Sequence, residues 1–212
     1  HWEIGERLGI FDFERATKLS GSRFAILRGA GARLSRALVQ FFLDRAARNG
    51  YVEINPPVLV GRATMWSTGQ LSKFADQMYA FEGDDANDAL YLIPTAEVPL
   101  TAMHRDEILP PGTIPLRYTA YTPCFRKEAG AAGRDTRGLI RQHQFEKVEL
   151  VWLTAPETSF DDLETLVRNV TGLYEELGIA YRVMLLCAGD TGFNAAKTYD
   201  VEAWFAGADA YK

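Results

Sequence analysis

Two arginines, two carboxylates and a phenylalanine stand at strand spacing within residues 122–149, a set able to grip phosphates, a flat ring and an ammonium group at once. Residues 139–153 alternate with period 2, the pattern of a strand with one face buried. Alternation puts Arg141, His143, Phe145, Lys147 and Glu149 on one face, and Gln144, Glu146, Val148, Leu150 and Trp152 on the other. Residues 116–128, rich in Tyr, Thr and Phe, read as a first arm on which Cys124, Arg126 and Glu128 fall together. The stretch therefore predicts a β-hairpin closed by a long glycine-rich loop. Guanidinium forks bind phosphate or carboxylate oxygens in pairs, an aromatic face stacks on a base, and a carboxylate accepts from an amine or hydroxyl. Solvated ion pairs on an exposed sheet face would use the same residue types, so composition alone does not decide.

The pattern is more particular than the composition. F-R-x-E, a loop, and then R-x-H-Q-F-x-K-V-E over residues 125–149 resembles motif 2 of the class II aminoacyl-tRNA synthetases, in the form found in the seryl-tRNA synthetase family. Similar matches run along most of the chain: H-W-E-I-G-E at 1–6, L-S-G-S-R-F at 19–24, G-A-G-A-R-L at 29–34, T-G-Q-L-S-K-F at 68–74, L-I-P-T-A-E-V-P-L-T at 92–101 and K-T-Y-D-V-E-A-W at 197–204. The resemblance implies an α+β fold, an antiparallel class II sheet flanked by helices, with residues 1–212 forming part of one catalytic domain. It implies a serine-tRNA ligase that activates L-serine with ATP and Mg²⁺ and passes it to tRNA(Ser).

Roles follow residue by residue from the same resemblance. Arg126 would hold the ATP α-phosphate and the serine carboxylate, with Lys127 and Glu128 beside it at the nucleotide. Phe145 would stack on adenine, and Arg141 would add charge near the phosphates. Thr95, Ala96, Glu97 and Glu149 would bind serine through its amino and hydroxyl groups, Glu149 and Arg126 being the catalytic pair. Read alone, Thr95 and Glu97 could equally cap a following helix. No metal ligands are expected within this chain.

The elements that must position these groups are legible from periodicity. Leu34, Ala37, Leu38, Phe41, Phe42 and Ala46 recur at helical spacing across residues 30–49, and Gly50 is a stop signal. A strand at 51–54 then runs into Pro56-Pro57, a series similar to motif 1, which implies a homodimer interface. Residues 1–28 predict loops and one short helix, residues 64–73 a mobile loop, and Asp84, Asp85, Asn87 and Asp88 a solvent-exposed acidic turn. A buried strand at 90–93 delivers Pro94-Thr95-Ala96-Glu97. Residues 159–178 form a scaffold helix, with Ser159 and Asp162 as its capping pair. Residues 181–186 predict a buried strand, and residues 199–205 alternate.

Composition bounds the reading independently. A chain of 212 residues that is 47% hydrophobic can bury a sizeable core, and no apolar run approaches the roughly 20 residues of a membrane span. A soluble, cytoplasmic protein is expected. Cys124 and Cys187 make no metal-ligand spacing, and both read as buried small apolar residues. The net charge of −5 excludes a uniformly basic surface, yet residues 126–147 carry six cations against three acids. Charge focused in this way suits a polyphosphate or an RNA end.

The resemblance stops at both ends: no pair of heptad-patterned helices forms the family's N-terminal arm, and motif 3 is missing after Lys212. A catalytic-domain fragment, inactive by itself, is the expectation. Two other readings are a ligase that charges a carrier protein's thiol and a non-catalytic paralogue that binds nucleotide.

Overall fold

Helix-forming stretches and short strands alternate from the first residues. In the computed structural model, which describes residues 1–81, 83, 88–129 and 137–212, α1 spans Trp2–Arg7, β1 Phe11–Asp12, α2 Phe13–Ser20 and β2 Ile26–Leu27. The sequence predicted one short helix here. Asp12 starts the second: it accepts from the Arg15 amide at 3.0 Å and from Arg15 Nη1 at 2.7 Å. Strands of two residues have no period to read, which is why β1 and β2, an antiparallel pair, were invisible.

Next come α3 (Ala30–Arg48), β3 (Val52–Glu53), β4 (Leu59–Gly61), α4 (Arg62–Ser67) and α5 (Gln70–Phe74), followed by a 3-10 turn over Ala75–Gln77. The α3 boundaries match the predicted helix, and Gly50 after it takes φ +82°. Residues 64–73 correct the predicted loop. Met65 of α4 is fully buried in a cluster with Val60, Met78, Tyr91, Ile93 and Val98. Burying a side chain of that size is worth about 1.5–3 kcal/mol, enough to hold a short helix of modest propensity. Gly69, at φ +77°, separates α4 from α5.

The chain continues through β5 (Ala80–Phe81), β6 (Leu90–Leu92), α6 (Glu97–Ala102), β7 (Leu116–Phe125) and β8 (Gln144–Leu153). Strands order as β4-β6-β5 in one sheet and β3-β7-β8 in another, with β3 parallel to β7. The hairpin is antiparallel: the Arg126 amide donates to the His143 carbonyl, while Thr119 Oγ1 reaches the Glu149 carbonyl at 2.9 Å. Its strands are shorter than predicted. Arg126 and Glu128 lie beyond β7, and Arg141 and His143 precede β8, so their placement follows from local turns and not from alternation. The acidic turn at Asp84, Asp85 and Asn87 and the loop centre at 130–136 lie outside the described residues.

Last come α7 (Ser159–Glu176), β9 (Tyr181–Leu185), β10 (Tyr199–Phe205) and β11 (Ala210–Tyr211), the strands ordered β11-β10-β9. The N-cap of α7 is Thr158 and not Ser159; its hydroxyl donates to Asp162 at 2.9 Å. The predicted buried strand at 181–186 is another correction. As the edge strand of its sheet, β9 leaves Arg182–Leu185 exposed. Cys124 is buried as expected, whereas Cys187 is exposed. By internal contacts the chain forms two units, His1–Leu109 with Arg117–Val151, and Pro110–Leu116 with Trp152–Lys212.

Candidate active site

Ile93 brings the two predicted halves of the site together. Its amide donates to the Val58 carbonyl and its carbonyl accepts from the Phe125 amide, so Pro94-Thr95 lies beside Phe125-Arg126. Arg126 Nε donates to the Pro94 carbonyl at 3.3 Å, and His143 Nδ1 lies 3.1 Å from the Arg126 carbonyl. The guanidinium thus stands over one face of the Phe145 ring, 5.2 Å from its centroid. Its Nη fork makes no hydrogen bond to the described residues.

Thr95, only 4% exposed, is the centre of a polar cluster. Its hydroxyl donates to Glu149 Oε2 at 2.6 Å and accepts from Lys147 Nζ at 2.7 Å and from the Glu97 amide at 3.2 Å. Lys147 also pairs with the same Glu149 oxygen. Thr95 thus bonds an early amide of α6, as the capping reading expected, and it also meets two residues of the β8 face. Its hydrogen-bonding capacity is used up, while Glu149 Oε1 has no partner among the described residues.

Glu97 is different. Its partly buried carboxylate takes no hydrogen bond or ion pair from the described residues. Burial first, and then the neighbouring Glu149 carboxylate, push it above the usual carboxylate range, against the pull of Lys147 and Arg126. Ala96 beside it is fully buried and is the N-cap of α6.

A second group forms at the base of the hairpin loop. Arg141 Nη1 donates to Glu128 Oε2 at 2.9 Å, and Arg141 Nε is buried without a partner among the described residues. Lys127 joins neither group; its ammonium sits over the Tyr79 ring, 5.8 Å from the centroid. On the opposite face of β8, Ser35 of α3 and Tyr121 of β7 donate to Glu146 at 2.6 and 2.7 Å. Burial, and then Glu146, push the Tyr121 phenol up to about 12, so it stays protonated. A cavity of about 760 Å³ opens there; it shares Phe145 with the predicted site but none of Thr95, Glu97, Arg126, Lys147 or Glu149.

Residues 79–212 match the family described as tRNA synthetase class II core domain (G, H, P, S and T). The chain belongs to the class II tRNA synthetase core family. Among curated relatives, the serine–tRNA ligase of Geobacter sulfurreducens is 59% identical over 213 residues, covering 100% of this chain and 50% of that protein. The chain spans about half the length of the curated relatives it matches. Among solved structures, the Pyrococcus horikoshii seryl-tRNA synthetase complexed with ATP superposes with a TM-score of 0.93 at 44% identity, over 100% of this chain and 46% of that one. The Naegleria fowleri cytoplasmic serine-tRNA ligase in complex with AMP gives 0.94 at 36% identity, over 99% and 49%.

Within this class II core, the sequence reading placed Lys147 on the strand face with Phe145 and Glu149 but gave it no role in the candidate site. Its parity with Phe145 and Glu149 was the available signal. What parity could not show is that Lys147 spans Thr95 and Glu149, because Thr95 arrives from another sheet.

Proposed function

We propose that the protein containing this chain is a serine-tRNA ligase, with residues 1–212 forming part of its class II catalytic domain. One observation carries the reading: open acceptors at Glu97 and Glu149 Oε1 lie beside the open Arg126 fork. L-Serine offers the complementary groups, an ammonium and a hydroxyl for the two carboxylates and a carboxylate for the guanidinium. The cluster of Glu97, Glu149, Lys147 and Arg126 is neutral in total, and so is the amino-acid zwitterion.

Activation then needs no general base. The serine carboxylate is already an anion and attacks the α-phosphorus of ATP in line, breaking its bond to the β-phosphate oxygen and releasing pyrophosphate to leave seryl-adenylate, with Arg126 spanning both reactants. Phe145 stacks on adenine, while Lys127, Glu128 and Arg141 serve the nucleotide, the buried Arg141 Nε–H being a donor suited to an anionic oxygen. Mg²⁺ would offset the charge that develops on the ATP phosphates. A hydroxyl of the 3′-terminal ribose of tRNA(Ser) then takes the seryl group from the adenylate, releasing AMP. A homodimer would form through α3 and Pro56-Pro57, a role suited to the apolar stripe of α3, where Leu34 is 59% exposed. No helix among the described residues is long and apolar enough to cross a membrane; the cytoplasmic location follows from the serine-tRNA ligase reading.

The test is serine-dependent pyrophosphate exchange by the full-length protein, followed by charging of tRNA(Ser) against a carrier-protein thiol. Exchange with serine but not alanine, and charging of tRNA, are expected. Exchange that does not depend on serine would refute the reading.

A further inference from the structure

The Glu128–Arg141 pair stands on a backbone turn that the hairpin does not hold by itself. Glu128 takes φ +50°, a left-handed conformation that a non-glycine residue keeps only where its surroundings over-determine it. Those surroundings are the segment ending in the 3-10 turn. The Lys127 amide donates to the Gln77 carbonyl at 2.9 Å. The Gln77 side-chain amide grips Ala129 from both sides: Oε1 accepts from the Ala129 amide at 2.9 Å, and Nε2 donates to the Ala129 carbonyl at 3.0 Å. Nε2 also lies 3.3 Å from Asp76 Oδ2. Between these two points, Arg23 Nη1 donates to the Glu128 carbonyl at 3.2 Å.

We propose that Gln77 is a positioning residue for the nucleotide end of the site, clamping the residues on either side of Glu128 so that its carboxylate meets Arg141. This rests on the serine-tRNA ligase reading for its effect on ATP, but not for the clamp. A carboxamide carries an acceptor and a donor side by side and can bond the N–H and the C=O of one residue at once, which is what Ala129 receives. Glutamate at 77 can accept from the Ala129 amide but cannot donate to its carbonyl; alanine can do neither.

The experiment uses full-length protein and the series Gln77→Glu and Gln77→Ala. Serine-dependent exchange should show the KM for ATP rising about tenfold in Gln77→Ala and by less in Gln77→Glu, with the KM for serine and the melting temperature nearly unchanged. Amide hydrogen exchange reads the clamp directly. The Ala129 amide should exchange about tenfold faster in Gln77→Ala, while the Lys127 amide, bonded to the retained backbone carbonyl, changes less. An unchanged Ala129 amide overturns the proposal, and so does an unchanged KM for ATP in an active enzyme. If the parent enzyme shows no exchange, the ligase reading fails, and the Ala129 amide alone decides the clamp.

Discussion

Two lysine–glutamate–hydroxyl triads stand out among the described residues, and one of them is a candidate site. In the first, Lys147 and the Thr95 hydroxyl converge on Glu149 Oε2. In the second, Lys197 and the Tyr199 hydroxyl converge on Glu164 Oε1 at 2.5 and 2.7 Å. The second is self-contained: Lys197 and then Tyr199 hold Glu164 below the usual carboxylate range, and Glu164 in turn raises Lys197. The first has a neighbour it does not satisfy, since Glu97 is pushed up by burial and by Glu149. The same kinds of group at similar distances make a brace in one place and, in the serine-tRNA ligase reading, a binding site in the other. What separates them is the unpaired, partly buried carboxylate and the open guanidinium fork beside the first.

Removing the fork should separate them most. Arg126→Ala in the full-length enzyme is expected to lower serine-dependent exchange by about a thousandfold or more, with lysine a poor rescue because a point charge lacks the paired donors. Exchange near the parent rate would return the first triad to the status of a brace.

Glu149→Gln comes next. A site whose carboxylate accepts the substrate hydroxyl can reject an analogue lacking it by about 10⁴–10⁵, so serine activation and the preference for serine over alanine should both fall sharply. Melting temperature should barely move, because a partly exposed ion pair is worth only about 0–1 kcal/mol. Unchanged selectivity would mean that Glu149 serves Lys147 alone.

Glu97→Gln should weaken serine binding yet raise the melting temperature by about 2 °C at neutral pH. The sign follows from the raised pKa: the cost of the ionised carboxylate is fully present above its folded value and vanishes below its unfolded one. The stability advantage of the variant should therefore shrink as pH falls, and a melting series across that range checks it. A variant less stable than the parent at neutral pH would contradict the idea of an unsatisfied carboxylate.

The smallest effect belongs to the second triad. Glu164→Gln should leave exchange kinetics within about twofold and lower the melting temperature slightly. Because Glu164 lies below the ordinary range, its stabilising contribution is present at neutral pH and lost as pH falls through its folded value. A loss of exchange as large as that of Glu149→Gln would erase the contrast between the two triads.

Much of this was legible before any coordinates. Period 2 placed Phe145, Lys147 and Glu149 on one strand face, and the 3.6-residue stripe with Gly50 bounded α3 almost to the residue, because side-chain direction along a regular element follows from backbone geometry alone. Alternation failed where the strands end. Arg126, Glu128, Arg141 and His143 sit in turns, where φ and ψ change from residue to residue and parity carries no direction. Short elements were illegible for a related reason: α4 stands on the burial of Met65 among residues from distant segments, and the edge position of β9 depends on which strands pair. Tertiary structure alone decided that Ile93 joins Val58 to Phe125, that Thr95 meets Lys147 and Glu149, and that Glu97 takes no hydrogen bond or ion pair from the described residues. The residue types needed for binding were set locally, along a strand and a strand end. Which of their valences stay open is a property of contacts between segments more than 50 residues apart, as for Thr95 and Glu149 at a separation of 54, and no local pattern encodes it.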